Sequence, residues 1–128
     1  AAGIKPREEQ PITDMARKTA RSRPLVVLVT TASRREAVRI GRALVEAELA
    51  ACANVLPGVR SIFRWKGKIC DAREALLVIK SRADLFGALA RAVRKVHSYE
   101  VPEIIAIPIV DGTSDYLAWI RKTTRKSL

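Results

Sequence analysis

The chain holds a single histidine, His97, within the run His97-Ser98-Tyr99-Glu100-Val101-Pro102-Glu103. An imidazole beside a phenol and two carboxylates can take a proton, hold a metal ion or recognise a ligand. His97, Glu100 and Glu103 form the candidate metal set. One imidazole with carboxylate help is an incomplete set for Cu(II) or Zn(II). The competing reading is a helix-to-strand joint with a solvated imidazole. In that reading the carboxylates pair with nearby cations, and Lys80 is the obvious partner. Lys80 ends an apolar run, so its ammonium is expected to be half buried and to need a carboxylate or an anionic ligand.

Other chemistry is thinly supported. Cys52, in Ala50-Ala51-Cys52-Ala53, reads as a buried thiol. Cys70 lies beside Asp71 near a turn. Neither cysteine has a Cys or His at short ligand spacing, which excludes a zinc finger, and two cysteines make no disulfide framework. There is no nucleophile–base pair, no P-loop and no Gly-rich dinucleotide fingerprint, so an enzyme is not expected.

These residues must be positioned by one domain, because the chain has 128 residues. Its apolar fraction of 48% supports a packed core, and aromatics at 5% leave that core to Val, Ile, Leu and Ala. No apolar run approaches the roughly 18 residues of a membrane span, and residues 1–23 lack a signal-peptide pattern. A cytoplasmic protein with no membrane partner is expected. Residues 1–23 read as a flexible basic extension, in which Met15 could be an alternative start. Residues 24–124 read as the domain, and 125–128 as a basic tail. The net charge is +11, with much of the excess on the tails. That favours weak association with polyanions. Without a basic stripe and interleaved aromatics, no specific nucleic-acid partner is expected.

The elements follow from periodicity. Pro24 to Thr31 is a continuous apolar, β-rich run, expected as a central strand. Ser33 with Glu36 is a capping box, opening a helix from Arg34 to about Ala47. Residues 51–66 and 69–81 pair as a hairpin around Lys66-Gly67-Lys68, with a bulge at Pro57-Gly58. In the outer part, Val59, Ser61, Phe63 and Trp65 alternate with Arg60, Ile62, Arg64 and Lys66. Ser81 with Asp84 is expected to cap a second helix. A strand at Ile104 to Val110 and a short last helix complete the order. Strand, helix, strand, strand, helix, strand is an α+β, ferredoxin-like split βαβ sandwich with a short C-terminal helix. One sheet face would stay uncovered, which argues for an oligomer.

Several stretches together resemble the CutA family, named for divalent-cation tolerance. They are Val29-Thr30-Thr31-Ala32, Leu49-Ala50-Ala51-Cys52-Ala53-Asn54, Phe63-Arg64-Trp65-Lys66-Gly67-Lys68, the segment Glu74 to Lys80, His97 through Ile104, and Tyr116-Leu117-Ala118-Trp119-Ile120. The resemblance runs from about Pro24 to Thr123. It implies a homotrimer whose long hairpin reaches a neighbour, and an intersubunit cleft holding Trp65, Lys80 and Tyr99 near His97, Glu100 and Pro102. It also implies a part in the response to divalent metal ions, with Cu(II) or another divalent cation as the bound species and no organic cofactor. Members discussed as copper binders can carry a Cys near the end of the first strand and a further His in the second helix. The corresponding positions here are Thr30 and Leu85, which points to weak binding. The alternative is a regulatory or scaffold trimer, like the nitrogen-regulatory PII proteins, that binds a small anion or a protein in its cleft.

Overall fold

The computed structural model describes residues 20–125. The expectations for the N-terminal extension and the C-terminal tail lie largely outside the described residues. Four strands and three helices follow in the order β1 (Pro24–Thr31), α1 (Arg34–Glu46), β2 (Cys52–Trp65), β3 (Lys68–Arg82), α2 (Phe86–Val96), β4 (Ile104–Pro108) and α3 (Ser114–Thr123). The strands form one sheet in the order β2-β3-β1-β4, every neighbouring pair antiparallel.

Alternation along the strands sorts the two faces. Leu25, Val27 and Val29 of β1 and Ala75, Leu77 and Ile79 of β3 are buried on one face. The apolar stripes of α1 (Ala37, Ile40, Leu44) and α2 (Leu89, Val93) complete that core. Gly41 is the close-approach point, where an added Cβ would lie 3.1 Å from Ala53 Cβ and 3.2 Å from Leu77 Cδ2. The other face carries Val26, Leu28, Val78 and Lys80, with Ile105 and Ile107 of β4 still 49% and 48% exposed.

The hairpin outruns its sheet. β1 stops opposite Ala75, so residues 68–74 of β3 pair only with β2. The register steps from Leu56↔Leu76 to Val59↔Glu74, so Pro57 and Gly58 form the expected bulge, and Gly58 takes the left-handed φ of 75° that glycine tolerates. Lys66 and Gly67 both have positive φ, 49° and 79°, the signature of a two-residue primed turn. One face of the arm carries Ser61, Phe63 and Trp65. The other carries Arg60, Ile62 and Arg64. Arg60 and Asp71 make a bidentate ion pair there, at 2.9 and 2.6 Å.

Three local expectations need correction. Ser81 does not cap a helix, because β3 continues through it to Arg82, opposite Pro24. Its buried hydroxyl donates instead to the Leu49 carbonyl at 2.7 Å. A short 3-10 turn, Ala83–Leu85, precedes α2, and Asp84 pairs with Arg82 at 3.1 Å. Lys80 takes the Asn54 side-chain carbonyl, not a carboxylate, because β2 places Asn54 within its reach. Cys52 is half buried rather than core, since it sits beyond the helix-covered face with its sulfur 3.9 Å from the Tyr116 hydroxyl.

Candidate functional site

The loop between α2 and β4 is held by two long-range anchors. His97 is one. Tyr99 N–H donates to His97 Nδ1 at 3.0 Å, and Nε2 lies 2.8 Å from the Thr30 carbonyl oxygen. An accepting Nδ1 leaves the proton on Nε2, which donates to Thr30. Both ring nitrogens are therefore engaged, and the ring tilts over Tyr99 at 4.8 Å between centroids. Glu36 is the other anchor. Its carboxylate accepts from Ala32 N–H at 3.1 Å, Ser98 N–H at 3.0 Å and Ser98 Oγ at 3.1 Å. Ser33 Oγ in turn accepts from Glu36 N–H at 3.1 Å. The expected capping box thus forms, but the carboxylate reaches one residue further back and across to the loop.

Burial pushes the Glu36 pKa up, yet it ends below its ordinary 4.5. The hydrogen bonds from Ser98 and Ala32 stabilise the anion more than burial opposes it. The Tyr99 phenol moves the other way. Burial raises it well above its ordinary 10.0, and so do the hydrogen bond to Glu74 and the charges of Glu74 and Glu36.

A cleft opens between this loop and the hairpin arm. It comprises two adjoining hollows of ≈ 450 and ≈ 390 Å³ that share Phe63, Trp65, Tyr99 and Val101. Thr30 and Ser61 line it, and so do Glu74, Glu100 and Glu103. Glu74 is 8% exposed, and one oxygen accepts from the Tyr99 hydroxyl at 2.5 Å.

The expected cleft residues Trp65 and Tyr99 are brought together. Lys80 is not among them. It lies opposite Val26, four positions along β3 from Leu76, the partner of Thr30. Of the candidate metal set, Glu100 and Glu103 are exposed, with no side-chain hydrogen bond or ion pair among the described residues. No group of three or more His, Cys, Asp or Glu among the described residues is close enough to hold a metal ion. Among the described residues the three do not form a preformed cation site. Thr30 contributes a backbone oxygen to His97, and Leu85 is fully buried.

Sequence reasoning missed Glu74 as a cleft residue and Glu36 as a loop anchor. The available signal for Glu74 was a lone carboxylate entering the apolar run Ala75 to Ile79. For Glu36 it was the capping box itself.

A four-stranded antiparallel sheet with an overlong hairpin, three helices and a cleft beside its His-containing loop defines a class of small α+β protein. The family model described as CutA1 divalent ion tolerance protein matches residues 25–123, and the chain belongs to that family. It is 46% identical to the divalent-cation tolerance protein CutA of Thermus thermophilus over 99 residues, covering 77% of this chain and 96% of the other. It is 40% identical to the human protein CutA over 124 residues, 97% of this chain and 69% of the other. The crystal structure of CutA1 from Oryza sativa superposes with a TM-score of 0.80 at 39% identity, over 84% of this chain and 99% of the other.

Proposed function

We propose that this chain is the ferredoxin-like subunit of a cytoplasmic homotrimer that serves divalent-cation tolerance without catalysis. It binds copper or a similar divalent cation weakly. The observation that carries the cation reading is the pair Glu100 and Glu103, exposed and unpaired among the described residues, on the loop that also holds His97. Two carboxylates can attract a divalent ion, but they hold it loosely. His97 joins them only by giving up a hydrogen bond to Thr30 or Tyr99. That cost keeps binding weak. The half-exposed Ile105 and Ile107, on the sheet face turned away from α1 and α2, support the trimer. Both cysteines are free, which suits a reducing compartment, and no helix among the described residues is long and apolar enough to cross a membrane.

Isothermal titration of Cu(II) and Zn(II) tests this. Wild type is expected to bind with a Kd of roughly 0.1–1 mM, about −5 kcal/mol, and Glu100→Gln/Glu103→Gln to show no saturable heat. Wild-type binding that survives the double substitution would remove these carboxylates from the site. A regulatory trimer that takes a small anion in the cleft is the second reading. The carboxylates lining the cleft oppose it, and Lys80, its proposed anion ligand, is bonded to Asn54.

A further inference from the structure

The charge of the cleft is opposite to that of the molecule. The protein carries +11, yet the charged residues lining the cleft, Glu74, Glu100 and Glu103, are all carboxylates. Between them stand Phe63, Trp65 and Tyr99. All three rings line the hollows, and among the described residues no ring contact joins them to one another. Aromatic faces attract organic cations, most strongly when water is excluded. Lys66 Nζ lies 5.8 Å from the centroid of the Trp65 ring, within cation–π range.

Among the described residues no three acidic, imidazole or thiol groups lie close enough together to hold one metal ion. Charges spaced along a flexible hydrocarbon chain suit the three carboxylates better. Glu74 supplies the inner anchor. It is 92% buried by the complement of its 8% exposure, and the Tyr99 hydroxyl engages one of its oxygens. The other oxygen has no hydrogen-bond partner among the described residues. Glu100 and Glu103 stand in the exposed part of the lining, and Val101 offers an apolar wall for methylene groups.

We propose that the cleft between the hairpin arm and the His97–Glu103 loop binds an aliphatic polyamine. An inner ammonium pairs with Glu74 between the aromatic rings, and outer ammoniums pair with Glu100 and Glu103. This goes beyond the metal reading and survives its failure, because Glu74 is not in the metal set.

The test uses the full chain in its native assembly, with Trp119→Phe so that Trp65 alone reports. Spermidine is titrated at constant ionic strength beside magnesium chloride. Spermidine is expected to change Trp65 emission saturably, and magnesium is not. Glu74→Gln is expected to weaken spermidine at least about tenfold, the loss of one charge pair near 1.4 kcal/mol. Should Glu74→Gln fail to fold, Glu100→Gln/Glu103→Gln decides the matter. It is expected to weaken spermidine while sparing the single-charge probe butylamine. An equal response to magnesium, no saturation, or wild-type spermidine affinity in the folded variants would overturn the proposal. A cleft closed by a second copy would appear as no saturation.

Discussion

Glu36 joins three segments through one buried carboxylate. It closes the first turn of α1, where an anion also suits the helix dipole, and it holds the loop at Ser98, 62 residues away. Its lowered pKa makes it a source of acid lability. A carboxylate with a depressed folded-state pKa stabilises the fold above its ordinary 4.5. That contribution is lost as pH falls through the lower folded-state value. Urea unfolding between about pH 7 and about pH 2.5 should therefore show a stability decline in wild type that is shallower in Glu36→Gln. An identical decline would place the acid-sensitive group elsewhere. At this scale the sequence was legible where chemistry is local. Ser33 and Glu36 are three residues apart and read as a cap. The contacts Glu36–Ser98, Glu74–Tyr99 and His97–Thr30 span 62, 25 and 67 residues, and no short-range pattern encodes them.

Helix α1 rests on the sheet through Gly41, and α2 places Gly87 beside only a flexible Arg91. The two glycines should therefore respond oppositely to alanine. At Gly41 the new methyl meets Ala53 Cβ, which is fixed to the strand and cannot rotate away. Overpacking of about 1–3 kcal/mol then exceeds the helix-propensity gain of about 1 kcal/mol. Gly41→Ala is expected to be less stable by up to about 2 kcal/mol, and Gly87→Ala more stable by about 0.5 kcal/mol. Chemical denaturation of both checks this, and a stabilising Gly41→Ala would contradict the tight packing. The element order and the two faces of the hairpin arm were readable from periodicity, because alternation and β-branching are strong there. The start of α2 was misread at Ser81. A Ser followed by Asp resembles a cap, but pairing of Leu25 with Ser81 extends the strand through it.

At the scale of the whole molecule, one sheet face is buried under α1 and α2, while the other leaves Ile105 and Ile107 about half exposed. Apolar area of that kind is stabilised by burial at roughly 25 cal/mol per Å². A homotrimer is the expected occupant in the proposed function. Sedimentation equilibrium should give three times the subunit mass. Ile105→Glu should shift the protein toward a monomer that keeps its native circular dichroism. A trimer unaffected by Ile105→Glu would move the interface to another surface. The sequence pointed to an uncovered face, but it could not place the cleft, which arises where the arm outruns β1 and meets the loop anchored by His97.

The single imidazole makes the most direct measurement simple. Nitrogen NMR of His97, first alone and then with added Zn(II), reads its tautomer and its hydrogen bonds. The proton is expected on Nε2, with Nδ1 accepting from Tyr99, and the ring signals should move only at the high zinc concentrations of weak binding. A mobile ring without this tautomer, or zinc bound tightly at stoichiometric addition, would contradict the assignment of His97 as a structural anchor that joins a cation site only at a cost.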